Sequence, residues 1–513
     1  MGSDKRLRYN RAAMVKPCFF SVRNTVLLFF LIVLTVLLLP LYKMEYPTQI
    51  RTLVGDNLRP TPWQPFHHQP QIQGDSWWSY KRAAQVWQCT HLSCLLTWPT
   101  THKPLIGSTR AQCPNQFQWI HEDLRPWRSQ GISREVLESG KPRAAFRAII
   151  KNGRLYIDLY YSCVQTRAMF SVWGLVQLVK RYGTLIPDVE FMFDCMDRPV
   201  IERSRYKWKL PPPLFRYCSN RGSFDIPFPD WSFWGWAETN IAPWDEEFRS
   251  IKRGSEQVKW KDRVPMAYWR GNTRVGSPAR VELLKCSNSK TAQIQEQNWE
   301  EEAQKKYASS KLSDQCKHRY KVYAEGWAWS VSYKYILSCG STVMTITSQY
   351  FDFFTRWLLP KRHIWPINPS TICPSLDFGV NWGNANPNQS ESIGRKSREM
   401  MEMMSMSTVY DYMFHLLSEY SKLQRFTPTP TPTSYFVCED SIQCLASPRE
   451  KSFLKRSLHS YMEDHNPMPC SLSPPNDTLI RKWIEMQDDG LREVREMEEH
   501  SAIDSPQNRP HRL

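Results

Sequence analysis

The chain has 513 residues, of which 41% are hydrophobic and 13% aromatic, so it can bury large cores and is not an intrinsically disordered protein. This length predicts roughly two to four domains of ordinary size. The net charge is +17, but the basic residues are scattered among acidic ones and show no zinc-finger spacing, RNP motif or basic stripe. The sequence therefore predicts no nucleic-acid binding.

Residues 24–42 form an uncharged, strongly apolar run that follows a basic leader, residues 1–23. A helix of this length crosses a thin bilayer. Because positive charge stays on the cytoplasmic side, we expect a type II, single-pass membrane protein whose body lies in the lumen of the Golgi or ER, after a stem at residues 43–85. The alternative is a cleaved signal peptide, although no small-residue cleavage site follows the run.

Cysteine usage agrees with a lumenal body. Of 14 cysteines, Cys18 precedes the apolar run and the other 13 follow it, without any CxxC pair. This pattern argues against zinc-ribbon and thioredoxin-like sites and favours disulfide bonds formed in an oxidising lumen. The odd number leaves at least one cysteine free or bonded to another chain. Asn388 and Asn476 begin glycosylation sequons, which support the same topology weakly.

A first domain is predicted over residues 86–261, with a loop-rich cap followed by an α/β pattern. The segments AFRAII and RLYIDLYY are typical of strands, and the apolar spacing of residues 166–182 predicts a helix. A third strand, PDVEFMFDCMD, follows this helix. The strand–helix–strand order favours a parallel sheet with a crossover helix.

A second α/β domain is predicted over residues 262–395, with helices that begin near Ser277 and Ser330. Its predicted strands are VPMAYWRG, RYKVYAEG and STVMTIT. A long helix rich in methionine and aromatic residues is predicted from Glu391 to Phe426, and its part at 396–426 closes the fold.

The remaining residues, 427–513, are predicted to form a linker and a tail. Their Thr-Pro repeat at 427–434 is typical of a stiff linker. Three tail cysteines indicate that this segment is tied down in part, whereas its charged last stretch is expected to be frayed.

Two carboxylates, Asp194 and Asp197, end the third predicted strand. A carboxylate there can take a proton from an attacking hydroxyl within hydrogen-bond reach. The alternative is that both residues cap a turn before Pro199. No D-x-D triplet occurs in the chain, which argues against a divalent cation that grips a diphosphate, so no metal is expected.

A glycine-containing loop with Arg270, Arg274 and Arg280 follows the strand VPMAYWRG. Guanidinium groups and a helix start suit phosphate oxygens. The spacing G-x-x-x-x-G lacks the Lys-Ser/Thr of a Walker A motif, so that interpretation fails. The alternative is that these arginines are surface charges beside a turn.

Two further segments carry candidate binding residues. After Gly326, the hydroxyls of Ser330 and Ser332 can either cap a helix or bind phosphate, and Lys334 can balance negative charge. The loop at residues 225–236 is dense in tryptophan and proline, which suits stacking on a sugar or peptide and equally suits a packed surface loop.

Together these segments resemble glycosyltransferase family 90, the family of capsule-associated proteins and Rumi-type protein O-glucosyltransferases, and they are most similar to its plant-type branch. The resemblance covers residues 150–425, and its longest block is highly specific. The matching segments are CMDRP (195–199), FPDWSFWGW (228–236), AYWRGN with the following SPAR (267–280), CKHRYKVYAEGWAWSVSYKYILSCGS (316–341) and FDFFTRWLLPKRHIWPI (351–367).

The resemblance implies a GT-B fold, in which two Rossmann-like domains face a cleft, one for the acceptor and one for the donor. It also implies a UDP-sugar donor, with glucose or xylose expected, a hydroxyl acceptor on a protein or polysaccharide, inversion at the anomeric carbon and no cofactor. The family base falls on Asp197. The family donor site falls on Asn272, Arg280, Trp327, Ala328, Trp329, Ser330, Val331, Ser332 and Lys334. The acceptor and sugar pocket falls on Trp231, Phe233 and Trp234.

This sequence departs from the Rumi-type pattern at the donor site. Rumi-type members carry arginine where this chain has Ser332, and serine where it has Asn272. Arg280 and Lys334 are then expected to neutralise the donor, either alone or together with His318 and Arg319. The departure leaves a second interpretation open, a catalytically inactive sugar-binding or scaffold protein on the same fold.

Overall fold

The computed structural model describes Cys94 and residues 111–275, 277–458 and 468–503. The predicted leader, membrane anchor and stem lie outside the described residues. Among the helices that are described, none combines the length and the apolar character needed to cross a bilayer. The two main sheets belong to one compact unit.

The first sheet has six strands. They are β1 Phe146–Lys151, β2 Arg154–Leu159, β3 Val189–Phe193, β4 Leu214–Arg216, β6 Ile226–Pro227 and β13 Tyr435–Val437. Their order is β13-β2-β1-β3-β4-β6. Strands β3, β4 and β6 run parallel, whereas β1 is antiparallel to both β2 and β3.

The prediction of a parallel first sheet is therefore wrong in part. Strands β2 and β3 run in the same direction and are joined by a helix, as predicted, but β1 lies between them in the opposite direction. The cause is a two-residue Asn152-Gly153 turn, in which both residues have positive φ. Such Asn-Gly turns favour tight hairpins, so β2 folds back directly onto β1.

The second sheet has five parallel strands. They are β7 Val264–Gly271, β8 Ala292–Glu296, β9 His318–Tyr323, β10 Thr342–Ile346 and β12 Trp365–Ile367. Their order is β12-β10-β9-β7-β8. The parallel arrangement was predicted and so were β7, β9 and β10, whereas β8 and β12 were not. A parallel sheet of this kind, with helices as crossovers, is Rossmann-like. A separate antiparallel pair joins β5, Ser219–Asn220, to β11, Tyr350–Phe351.

Thirteen α-helices are described. They are α1 Gln118–Asp123, α2 Arg134–Glu138, α3 Arg167–Tyr182, α4 Trp244–Glu256, α5 Pro278–Leu284, α6 Trp299–Gln304, α7 Tyr333–Leu337, α8 Ile372–Ala385, α9 Pro387–Met403, α10 Met406–Leu423, α11 Glu439–Leu445, α12 Pro448–Ser457 and α13 Asp477–Ile503. The single long helix predicted from Glu391 to Phe426 is in fact two helices, α9 and α10. The Ser405 hydroxyl accepts a hydrogen bond from the Thr408 N–H at 3.3 Å, which caps α10 and ends the continuity.

The C-terminal stretch forms a 27-residue helix, α13, so the expectation of a frayed end is wrong for this segment. Its first half packs through Ile480 and Trp483 on the larger core, which also contains the first sheet. Its second half packs through Val494 and Met497 on the core of the second sheet. Burial of these apolar side chains stabilises the helix despite its many charged residues.

Five disulfide bonds are described. They are Cys94–Cys438, Cys113–Cys470, Cys163–Cys195, Cys286–Cys373 and Cys316–Cys339. Cys444 is also disulfide-bonded, and Cys218 is free and buried. The expectations that the tail is tied down by its cysteines and that one cysteine stays unpaired are both confirmed.

Candidate active site

A cavity of about 530 Å³ lies between the two sheets, at the carboxyl ends of β3, β7 and β9. Ligands of open α/β sheets bind at such strand ends. Most of the residues predicted for the site line it: Asp197, Trp231, Asn272, Arg280, Trp327, Trp329, Ser330, Val331 and Ser332. Segments that are far apart in the sequence therefore meet at one place.

Asp197 follows β3 and is held by Arg167, the first residue of α3. The Arg167 guanidinium donates to Asp197 Oδ1 at 2.6 Å and to the carbonyl of Cys195 at 3.2 Å. It also lies 4.3 Å from the centre of the Trp231 ring. The Cys163–Cys195 disulfide ties the same loop to the chain just before α3. One carboxylate oxygen is thus fixed, and among the described residues no partner binds Oδ2.

Asp194, the other candidate carboxylate, has a different role. It is completely buried and forms an ion pair with Arg216, and the Tyr161 hydroxyl also donates to it. A carboxylate that is shut off from the cavity and paired in this way cannot reach an acceptor. The structure thus separates two acidic residues that the sequence pattern alone treats alike.

Arg280 is buried in the cavity wall opposite Asp197. Its guanidinium donates to the carbonyls of Glu325 at 2.8 Å, Asn272 at 2.9 Å and Ala324 at 3.3 Å, and to the Ser330 hydroxyl at 3.2 Å. Burial lowers the pKa of Arg280 to about 10, because desolvation penalises its charged form. Arg280 thereby joins the two predicted donor loops, which follow β7 and β9.

The loop after β9 turns tightly at Gly326, whose N–H donates to the Trp329 carbonyl at 3.2 Å. A Cβ at Gly326 would lie 2.9 Å from that carbonyl oxygen, so a side chain would force the turn apart. Within this loop the Ser330 and Ser332 hydroxyls are 2.9 Å apart. The turn places two hydroxyls and the Arg280 guanidinium on one surface of the cavity.

Lys334 does not line the cavity, contrary to its predicted role in balancing donor charge. It is buried, and its ammonium donates to Asp230 at 2.9 Å and to the Ser232 hydroxyl at 2.7 Å. Burial lowers its pKa, and the charge of Asp230 partly offsets this effect. This buried pair joins the Trp-rich loop to α7. Ala328, the residue predicted beside it, is also buried outside the cavity lining.

The Trp-rich loop at residues 225–236 is divided between the two roles that its sequence left open. Trp231 and Trp236 line the cavity, whereas Phe233 and Trp234 are fully buried in the core and do not. Trp234 packs against α3 at Gly174, which has no side chain. A Cβ at Gly174 would lie only 2.3 Å from the Trp234 ring. Phe233 and Trp234 were predicted to line the pocket, but the structure places both side chains in the core instead.

The lining of the cavity is strongly basic. Its described charged residues are Arg167, Arg270, Arg274, Arg280 and Lys321 against the single acidic Asp197. Arg270 is neutralised by Glu302 at 2.6 Å, and Arg274 is exposed near Glu296 at 3.8 Å. A cavity with this balance favours an anionic ligand.

One cluster of side chains in the described chain has the ligand types for a metal, Cys113, His415 and Cys470. Both of its sulfur atoms are joined in the Cys113–Cys470 disulfide, so they are not available as thiolate ligands. The cluster is also separate from the cavity lining.

Comparison with known proteins agrees with this arrangement. The sequence profile of glycosyl transferase family 90 matches residues 108–498. The chain belongs to glycosyltransferase family 90. Among its curated relatives, an O-glucosyltransferase rumi homolog from Aedes aegypti is 25% identical over 335 residues, which cover 62% of this chain and 80% of that protein.

Two further relatives have the same character. Protein O-glucosyltransferase 1 from Homo sapiens is 27% identical over 330 residues, covering 60% of this chain and 80% of that protein. The O-glucosyltransferase rumi of Drosophila melanogaster is 22% identical over 338 residues, covering 62% and 80%. Family membership and these relatives support a glycosyltransferase.

Two cavity residues of this family 90 protein were missed by sequence reasoning, Arg167 and Lys321. Arg167 lies at the start of an apolar helix, outside every strand-end motif, and only the fold brings it to Asp197. Lys321 had a signal, because it stands between Tyr320 and Val322 in the second half of β9, and strands of a parallel sheet are covered on both faces.

Proposed function

We propose that this family 90 protein transfers a sugar from a UDP-sugar to a hydroxyl group of a protein, without a metal ion. The observation that carries the proposal is the placement of Asp197. It is the only acidic residue among the described residues of the cavity lining, and it faces a wall that contains Arg280. A proton acceptor and an anion-binding wall on opposite sides of one cleft are what an inverting transfer requires.

In the proposed reaction, Asp197 acts as the general base. Arg167 fixes Oδ1, which leaves Oδ2 to accept the proton of the acceptor hydroxyl. The acceptor oxygen attacks the anomeric carbon of the sugar as this proton moves to Asp197. The bond from the anomeric carbon to the phosphate oxygen breaks, and UDP leaves with that electron pair.

The wall of the second sheet would stabilise the leaving group. Arg280 and the hydroxyls of Ser330 and Ser332 lie where the departing diphosphate gains negative charge. Arg280 is held by three backbone carbonyls, so its charge is positioned before the donor binds. Preorganised charge of this kind lowers the barrier without reorganisation during the reaction.

Trp231 and Trp236 would form the apolar side of the acceptor and sugar pocket. Both line the cavity near Asp197, and Arg167 packs over Trp231. Flat indole rings bind the apolar faces of sugars and peptide side chains. Glucose or xylose is the expected sugar, and a polysaccharide hydroxyl is the alternative acceptor with the same chemistry.

We further propose that the body of the protein works in the lumen of the Golgi or ER, held by the apolar run at residues 24–42. Five disulfide bonds in the described body support an oxidising compartment. Protease protection of tagged protein in intact microsomes tests this topology, and digestion of the body without detergent would contradict it.

The experiment for the activity is a UDP-release assay on the purified full-length protein with a panel of UDP-sugars, with and without EDTA and a folded protein acceptor. Release with one donor that is unaffected by EDTA supports the proposal and names the sugar. UDP binding without any release or transfer would instead favour an inactive sugar-binding protein, the interpretation that the Ser332 departure left open.

A further inference from the structure

We propose that Lys321 is a donor-site residue and supplies the second positive charge that holds the diphosphate, in place of the arginine that Rumi-type members carry at the position of Ser332. This inference rests on the proposed function, because it assigns another residue to the same donor site. The ligand of this site is a nucleoside diphosphate, and Lys321 binds its diphosphate group.

Lys321 lies in the middle of β9 and points away from the core of the second sheet. Its neighbours Tyr320 and Val322 belong to that core, and side chains alternate along a strand, so Lys321 lies on the opposite face. Lys321 lines the cavity, and Val322, near the carboxyl end of the strand, lines it too. Its ammonium donates to Gln315 Oε1 at 2.8 Å and lies 4.6 Å from the centre of the Tyr268 ring.

The ammonium of Lys321 has few hydrogen-bond partners for a group that is so deeply buried. The residue is only 2% exposed. An ammonium has three donors, yet within the described chain only Gln315 accepts from it and no carboxylate pairs with it. Burying an unpaired charge is costly, so such a lysine either loses its proton or finds an anionic partner in a ligand.

The other cations considered for this role are committed elsewhere. Lys334 is paired with Asp230 outside the cavity. Arg319 donates to the carbonyl of Lys261 and to Asn384, and it does not line the cavity. Burial lowers the pKa of His318 to about 4, so it is neutral near pH 7.

Arg280 and Lys321 therefore share one property. Both are buried in the cavity wall, and within the described residues neither forms an ion pair with a carboxylate. A nucleoside diphosphate ester carries one negative charge on each phosphoryl group. Two cations of the cavity lining without a carboxylate in salt-bridge contact match that ligand in charge, and Glu325 and Asp197 act on Arg280 only from a longer distance.

Burial also lowers the pKa of Lys321 to about 7 in the empty site. An anionic ligand favours the charged form, so binding of UDP near pH 8 should take up protons. The titratable groups nearest to Lys321 are Tyr268 and His318, and the charges of Arg270 and Glu302 act on Tyr268. Burial raises the pKa of Tyr268 and lowers that of His318 to about 4, so neither group gains a proton at pH 8.

The test is calorimetric titration of the full-length protein with UDP and with uridine, at pH 8, in buffers of different ionisation enthalpy. Lys321→Met should bind UDP about ten- to hundred-fold more weakly than the unmodified protein and bind uridine unchanged. The unmodified protein should take up protons with UDP, and Lys321→Met should not. Lys317→Met removes an exposed lysine from the same segment and should change neither quantity.

Lys321→Arg keeps the charge and should retain most of the UDP affinity, which guards against a folding defect in the methionine variant. Equal weakening of UDP and uridine, or unchanged proton uptake in Lys321→Met, would overturn the assignment of Lys321. UDP binding by the unmodified protein and by Lys321→Met with equal affinity would overturn it too, while the proposed function stands. No UDP binding by the unmodified protein would contradict both.

Discussion

The two walls of the cavity differ in how their charges are balanced. On the wall that follows the first sheet, Asp197 is paired with Arg167 at 2.6 Å, and Asp194 behind it is paired with Arg216. On the wall of the second sheet, Arg280 and Lys321 are buried, and neither is paired with a carboxylate of the described chain. In the proposed function, the balanced wall holds the general base in place and the unbalanced wall attracts the anionic donor.

Two buried lysines show why this difference in pairing matters. Lys334 and Lys321 are both almost fully buried, and burial lowers the pKa of each. Lys334 has Asp230 as a partner at 2.9 Å and stabilises the contact between the Trp-rich loop and α7. Lys321 has no acidic partner among the described residues and lines the cavity. Burial alone therefore does not distinguish these two lysines, whereas the presence or absence of an acidic partner does, and this difference is the basis for proposing Lys321 as a binding residue.

Lys334→Met should have the largest effect. It leaves Asp230 buried without its counter-ion, so the free energy of unfolding should fall by about 3–5 kcal/mol. Chemical denaturation measures this value. Lys321→Met is the matched control, since it removes an unpaired charge and should not destabilise the protein. A larger loss of stability in Lys321→Met than in Lys334→Met would break the comparison.

Arg280→Gln should reduce donor affinity by about a hundred-fold, because the cavity loses a fixed charge and three carbonyls lose a charged donor. Titration with UDP measures the affinity. Arg280→Lys keeps the charge but not the planar fork, and an intermediate affinity is expected. Unchanged UDP affinity in Arg280→Gln would remove this residue from the donor wall.

Arg167→Gln should act on the other wall and reduce kcat by about tenfold, because Asp197 loses the contact that orients it. Donor affinity should stay the same, since Arg167 contacts neither donor loop. Steady-state kinetics with varied donor separates the two effects. A rise in the KM for donor with unchanged kcat would place Arg167 in the donor site instead.

The smallest effect is a pH dependence of stability. Burial holds the pKa of Lys321 at about 7 in the folded protein, against about 10.4 in an unfolded chain. Above pH 7 the unfolded state binds more protons at this residue, so its contribution to stability rises with pH. Between pH 7 and pH 8 the stability advantage of Lys321→Met over the unmodified protein should shrink by about 1 kcal/mol. A constant difference, measured by denaturation at both pH values, would contradict a lowered pKa.

Much of the site was predictable, because strand-end residues of parallel sheets meet at one edge. Asp197 and Arg280 were placed correctly in the cavity by this rule. The strand-end pattern alone did not separate Asp194 from Asp197, and only the family resemblance selected Asp197. The ion pair of Asp194 with Arg216, a residue of the neighbouring strand, separates the two in physical terms. The pairing of Lys334 with Asp230 likewise joins residues far apart in the chain.

The fold was predictable where the pattern was regular. The strands of the second sheet alternate with helices, and their parallel order was correctly expected. The first sheet was misjudged at Asn152-Gly153, a turn signal that was overlooked. The burial of Trp234 depends on the room left by Gly174, and no local pattern reveals such a packing partner.

The most direct test of the central claim compares the unmodified protein with Asp197→Asn in two measurements, UDP binding and sugar transfer from the preferred donor. The amide keeps the size of the side chain but cannot accept the proton. UDP affinity should stay the same while transfer falls by about a thousand-fold or more. Near-normal transfer by Asp197→Asn would contradict the central claim.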